Sequence, residues 1–210
     1  MDRPPFFLLA PGAGAPSSSA WMVAWRDRLA TLGDVVAFDY PYMRAGRRSP
    51  DRPPALVAAH RAALDGVIAA GGGGAGRGRR IFLIGKSMGG RIGCHLASED
   101  DTARAAVAGI ICLGYPLQSG ATGALRDQVL LALRTPILFV QGTRDPLCPL
   151  DKLAAVRPRM AAPNRLHVVE GGDHSLQVSA QRRKAAGETQ RDADARVLEV
   201  IRDFVHGLMT

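Results

Sequence analysis

The sequence has no apolar run near the roughly 18 residues that a membrane-spanning helix needs, so no transmembrane segment is expected. Its N-terminus offers only Phe6–Ala10 as an apolar stretch, too short for a signal peptide and with no clean small-residue cleavage site behind it. A cytoplasmic protein with no membrane attachment is the expectation. Cysteine is scarce: Cys94, Cys112 and Cys148 are an odd, scattered set without C-x-x-C spacing. That argues against a disulfide framework or a zinc site and leaves them as small buried apolar residues. Aromatic residues make up only 5% of the chain. This matters because 27 Lys and Arg outnumber 19 Asp and Glu, giving a formal charge of +8. Such an excess can mark a nucleic-acid binder. The basic residues form no stripe with interleaved aromatics, however, and Gly76–Arg80 reads as a solvated loop. The abundance of Arg, Ala, Gly and Pro also fits a GC-rich genome, so no nucleic-acid partner is expected.

What is present is a chain of 210 residues, 47% apolar and 22% charged, with no internal repeat and no stretch fit to form a separate lid. That length and composition suit one domain, residues 1–210. Six short apolar runs stand out: Phe6–Ala10, Val35–Asp39, Ile81–Gly85, Gly109–Gly114, Ile137–Gln141 and Leu166–Glu170. Continuous runs of this length suit strands covered on both faces, as in a parallel sheet. Helix-compatible segments lie between them: Ser18–Leu32, Pro54–Ala70, Gly89–Glu99, Arg126–Leu133, Pro149–Met160 and Asp192–Leu208. Gly71–Arg80 reads as an exposed loop, and Gln181–Asp192 as an exposed loop or the frayed start of the last helix. Strands alternating with helices predict an α/β fold, a doubly wound and mostly parallel sheet flanked by helices on both faces.

Gly85-Lys86-Ser87-Met88-Gly89 follows the third run and opens a helix. This is G-x-S-x-G in the strand-turn-helix context that gives the motif its meaning. Flanking glycines let the chain pass closely while the serine is pushed out above the sheet. The backbone N–H of Met88, at the helix N-terminus, is placed to donate to an oxyanion. An activated serine needs a base, and the base an orienting acid. In chain order after the serine come Asp145, past the fifth run, and His174, past the sixth. Both follow the carboxyl ends of parallel strands, where open α/β sheets hold their ligands. His60, His95, His167 and His206 lack that placement, and Asp173 reads as a turn residue. Ala13, between Gly12 and Gly14 after the first run, is the candidate for the second oxyanion donor.

Leu9-Ala10-Pro11-Gly12-Ala13-Gly14, Phe38-Asp39-Tyr40-Pro41-Tyr42, Gly85-Lys86-Ser87-Met88-Gly89-Gly90, Cys112-Leu113-Gly114-Tyr115-Pro116, Gln141-Gly142-Thr143-Arg144-Asp145 and Gly172-Asp173-His174-Ser175 resemble the small, lidless α/β-hydrolases of bacteria. These are similar to the dienelactone-hydrolase group, with eukaryotic relatives that include a testis-expressed protein and a subunit of the nonspecific-lethal chromatin complex. The resemblance runs from about Phe6 to Phe204. It implies the α/β-hydrolase fold, no lid, and a Ser87–Asp145–His174 triad; it implies no substrate. Two departures from the wider superfamily are visible. Pro11 stands where many members have His, and proline has no N–H to donate. From the chain length, the N-terminal antiparallel strands of larger relatives are expected to be absent.

The expected chemistry is acyl transfer from a small ester, thioester or related substrate to water, needing no metal or organic cofactor. Tyr40, Tyr42, Arg44, Tyr115, Leu117 and Leu147 come from loops at the same sheet edge and are candidates to line the site. Arg44 or Arg144 is a candidate for an anionic group. Two other classes stay open. A non-catalytic interaction protein can keep this fold. A dinucleotide-binding domain would use Gly12-Ala13-Gly14 and Asp39, but Ser17 replaces the third glycine. Oligomeric state is not legible.

Overall fold

In the computed structural model, residues 3–71, 79–120 and 122–209 are described. Six strands among them form one sheet: β1 (Phe6–Ala10), β2 (Asp34–Ala37), β3 (Ile81–Lys86), β4 (Val107–Leu113), β5 (Ile137–Gly142) and β6 (Asn164–Val169). Their order is β2-β1-β3-β4-β5-β6, and every neighbouring pair is parallel. The expected parallel sheet is therefore present, with each apolar run on its strand to within a few residues.

The continuous apolar runs have a direct physical reason. Successive side chains of a strand point to opposite faces, so a sheet covered twice needs apolar residues at every position. Phe6, Leu8, Ile81, Leu83, Ile110, Cys112, Ile137 and Phe139 belong to one buried cluster. The alternating set, Phe7, Leu9, Phe82, Ile84, Ile111, Leu113, Leu138 and Val140, belongs to the other.

The first cluster is covered by α3 (Pro53–Ala69), α4 (Met88–Glu99), α6 (Gln128–Ala132) and α7 (Leu150–Val156) through Leu64, Cys94, Leu96, Leu130 and Leu153. The second is covered by α1 (Ala20–Leu29) and α9 (Gln190–Met209) through Met22, Trp25, Leu29, Val197, Ile201 and Phe204. Shorter helices complete the chain: α2 (Pro41–Arg44), α5 (Asp101–Ala106) and α8 (Ala180–Ala186). No lid domain covers the carboxyl edge among the described residues. None of their helices is long and apolar enough to cross a membrane. Cys94, Cys112 and Cys148 are buried free thiols.

The expectation for Gln181–Asp192 is corrected in part: Gln190–Asp192 do start the last helix, but the residues before them are not simply a loop. Gln181–Asp192 is mostly helical, because its ends are capped. The Ser179 hydroxyl accepts from Arg182 N, and α8 stops at Gly187 with φ +63°. Thr189 and Asp192 then exchange side-chain-to-backbone hydrogen bonds of 3.2 and 2.8 Å at the start of α9. The Gly71–Arg80 loop falls for the most part outside the described residues.

The sheet order also places the candidate site residues. From β1 the chain moves outward to β2, then returns to β3 on the other side of β1. The β1 and β3 exits therefore flank a topological switch point, the place at the carboxyl edge where open α/β sheets hold their ligands. The β1 exit carries Gly12 and Ala13; the β3 exit carries Ser87.

Candidate active site

Ser87 sits between β3 and α4 with φ 48° and ψ −114°, one of two non-glycine residues with positive φ among the described residues. A side chain other than glycine stores strain in such a conformation, and surrounding contacts must hold it. Its backbone N–H donates to Leu113 O of β4 at 3.1 Å. Two glycines let the turn close this tightly. A methyl on Gly85 would stand 2.2 Å from Gly90 N, and one on Gly89 would stand 2.5 Å from Ala10 O. The Met88 N–H, first in α4, has no intramolecular acceptor among the described residues.

His174 reaches Ser87 from the loop after β6. Its Nε2 lies 2.8 Å from Ser87 Oγ, and its Nδ1 lies 2.8 Å from Asp145 Oδ2. The three side chains predicted from motif and order are thus brought together in one hydrogen-bonded chain. Hydrogen-bond logic assigns the protons. The Tyr115 N–H donates to Gln141 Oε1 at 3.0 Å, which turns Gln141 Nε2 toward Asp145 Oδ2, its acceptor. Asp145 Oδ1 accepts from Leu147 N at 2.8 Å. The carboxylate therefore faces donors throughout, so His174 Nδ1 carries its proton and Nε2 is left to accept from the Ser87 hydroxyl. The Asp145 side chain is fully buried, whereas that of His174 is 23% exposed. Asp145 is sealed beneath His174, and His174 opens to solvent.

The β1 exit loop lies against this assembly: a methyl on Gly12 would be 3.6 Å from Ser87 Cβ. The loop is pinned from two sides. The Tyr42 hydroxyl donates to Ala13 O at 2.9 Å, and Asp39 Oδ1 accepts from Ser17 N at 2.6 Å. Asp39 is thereby engaged in its own loop rather than presented to a ribose. The Ala13 N–H has no intramolecular acceptor among the described residues. Asp173 spends Oδ1 on Ser175 N at 2.7 Å and Gln177 N at 3.0 Å, the turn role expected of it.

The candidate substrate contacts need correction. Tyr40, Tyr42 and Tyr115 are 0%, 1% and 0% exposed, and Leu117 is equally buried. Their rings fill the core, and their hydroxyls are satisfied internally, Tyr40 by His60 Nδ1 and Tyr115 by Arg126 O. Of the aromatic and aliphatic candidates, Leu147 alone is half-buried rather than sealed. Arg44 lines a groove against the alanines of α3, and Arg144 a cleft with Glu170 and Arg182; neither hollow includes Ser87, Asp145 or His174. Among the described residues no cluster of three or more His, Cys, Asp or Glu could hold a metal ion.

Sequence reasoning overlooked Gln141. It is fully buried at the end of β5 and fixes Asp145 while satisfying Tyr115 N. The available signal was a polar residue near the end of an otherwise apolar strand, four positions before Asp145.

Residues 3–206 match the family described as the alpha/beta hydrolase domain. The chain belongs to that family. Solved structures of similar fold agree with this alpha/beta hydrolase over most of its length. Dienelactone hydrolase from Anabaena variabilis aligns with a TM-score of 0.70 at 15% identity, covering 98% of this chain and 87% of its own. Est1E from Butyrivibrio proteoclasticus gives 0.67 at 13%, covering 100% and 90%. An alpha-beta serine hydrolase homologue from Coxiella burnetii gives 0.65 at 20%, covering 83% and 78%. At these identities the likeness is one of fold.

Proposed function

We propose that this alpha/beta hydrolase is a serine hydrolase acting on a small ester, thioester or related acyl substrate through an acyl-enzyme. The observation that carries the reading is the pair of 2.8 Å hydrogen bonds joining Ser87 Oγ, His174 and Asp145 at a strained elbow. Ser87 attacks the acyl carbonyl as His174 Nε2 takes its proton. Asp145 keeps the proton of Nδ1 in place and favours the charged imidazolium. The free N–H groups of Met88 and Ala13 receive the oxyanion, each such donor contributing about 10²–10³-fold. His174 then protonates the leaving group, and later draws a proton from water to release the acid. No step needs a cofactor.

Among the described residues no lid covers this edge, and His174 is partly open to solvent, which favours substrates that reach a shallow site, with Leu147 as the candidate apolar contact. The narrower kinship is also part of the proposal: a dienelactone-hydrolase-like branch shared with the testis-expressed protein and the nonspecific-lethal complex subunit, working as one domain in the cytoplasm. Ser87→Ala tests the reaction class. It should lower turnover of a short p-nitrophenyl ester by about 10³-fold or more; turnover left intact would remove Ser87 from the mechanism.

A further inference from the structure

Lys86, the residue before the nucleophile, has a role that the acyl-transfer chemistry above does not use. It closes β3 and is partly buried. A lysine normally keeps its ammonium in water. Here burial pulls its pKa below the ordinary value, against the pull of Asp173 and Asp145. The ammonium is spent inside the protein: Nζ donates to Ser175 Oγ at 3.0 Å and to His174 O at 3.4 Å, and lies 5.0 Å from the centre of the Trp21 ring. Trp21, on α1, donates its indole N–H to Ser175 O at 2.9 Å. The two peptide groups that follow His174 are therefore each gripped by a side chain from another part of the fold.

Shape and placement of this loop are separate matters. Asp173 closes the turn on itself, and Leu176 takes φ +62° within it. Those contacts would survive a rigid shift of the loop. Placement over Ser87 needs contacts from outside. Gly114 provides the floor: it has φ +71°, and a methyl there would lie 2.5 Å from His174 O. Gln190 Nε2 holds Leu176 O further along at 3.0 Å. Lys86 differs from these in being one peptide bond from the nucleophile.

We infer that Lys86 is a positioning residue which, with Trp21, clamps the His174–Ser175 backbone over the end of β3 and so sets the distance between base and nucleophile. The inference rests on the serine-hydrolase reading. A shift of about 1 Å would open the 2.8 Å contact between His174 and Ser87, and misplacement of that size can lower rates about 100-fold.

The test uses the full chain with Lys86→Met, Lys86→Arg, Ser175→Ala and the Lys86→Met/Ser175→Ala pair, assayed on a short p-nitrophenyl ester. Methionine keeps the length and loses the donors. Lys86→Met should lower kcat by about 10- to 100-fold with KM within about twofold. Lys86→Arg should recover part of that loss, since guanidinium also donates and stacks on an indole. The double variant should be no worse than Lys86→Met by more than about twofold, because the Ser175 hydroxyl contact that Ser175→Ala removes is one that Lys86→Met has already cut. Hydrogen exchange of the Trp21 indole N–H, whose acceptor Ser175 O lies on the loop, should quicken by about tenfold or more in Lys86→Met, as expected from losing a charged hydrogen bond that holds the loop in place. An unchanged kcat, a loss confined to KM, losses that multiply, or unchanged exchange would each overturn the clamp. If the wild type shows no Ser87-dependent turnover, the hydrolase reading fails by itself, and the exchange measurement still decides whether Lys86 holds the loop.

Discussion

Replacing Asp145 by asparagine keeps the shape of the site and changes only which atoms donate. Three donors converge on this carboxylate: Gln141 Nε2 and His174 Nδ1 on Oδ2, and Leu147 N on Oδ1. An amide has one acceptor oxygen. If that oxygen stays toward His174, the new NH2 faces the Leu147 N–H, and two donors oppose each other in a buried place. If the amide turns over, its NH2 faces Gln141 and His174. His174 must then offer Nδ1 as acceptor and carry its proton on Nε2, pointing at Ser87. The base becomes a donor and cannot take the serine proton. Either arrangement leaves a mismatched donor, worth about 1–3 kcal/mol of stability. The second also removes general-base action, for which a drop of about 10⁴ in kcat is expected from the same exchange in another serine enzyme; that equals about 5 kcal/mol of barrier. The assay is kcat on a short p-nitrophenyl ester, with urea unfolding of the same preparation to show that the variant is folded. A folded Asp145→Asn protein that keeps activity within about tenfold would refute the claim that Asp145 orients His174.

Two further outcomes follow from buried groups. Gln141→Leu removes the donor to Asp145 and orphans the Tyr115 N–H; urea unfolding should show a loss of about 1–3 kcal/mol, with kcat falling because the acid loses a support. His60 is buried beneath Tyr40, and burial holds its pKa down at about 3 against an ordinary 6.5. The unfolded chain therefore binds a proton there below pH 6.5 that the folded chain refuses, so stability falls as pH drops through that window. Between pH 6.5 and 5 the loss should be about 2 kcal/mol. His167, lowered by burial and by Arg196, acts in the same direction. Denaturant titrations at both pH values should show a shallower slope in His60→Phe; an identical slope would mean that His60 does not contribute.

The sheet was legible because a doubly covered strand has no polar face to blur it: Ile81–Ile84 and Ile137–Val140 are apolar throughout, and the structure buries both sides. The positions of Ser87, Asp145 and His174 were legible because each follows a strand, and the carboxyl ends of parallel strands lie on one edge. Helix α8 was not, since Gln181-Arg182-Arg183-Lys184 has no apolar stripe; its marks were local, Ser179 at one end and Gly187 at the other. The tyrosines were misread for a different reason. Sequence places Tyr40, Tyr42 and Tyr115 at the correct edge but does not give the direction of their rings, and each hydroxyl found a partner inside. Gln141 and Lys86 were missed because their partners lie on other loops, 26 residues away for Tyr115 and 89 for Ser175. Contacts of that kind appear only once the chain is folded.

The central claim is that Ser87 is an activated nucleophile, and covalent labelling tests it without knowledge of the substrate. The folded protein should react with a fluorophosphonate, and peptide mapping should find a single adduct on Ser87 that is lost in Ser87→Ala and strongly reduced in a folded His174→Ala variant. Folded protein that stays unlabelled at Ser87, beside a control serine hydrolase that reacts fully, would contradict the account and leave a hydrolase fold without hydrolase chemistry.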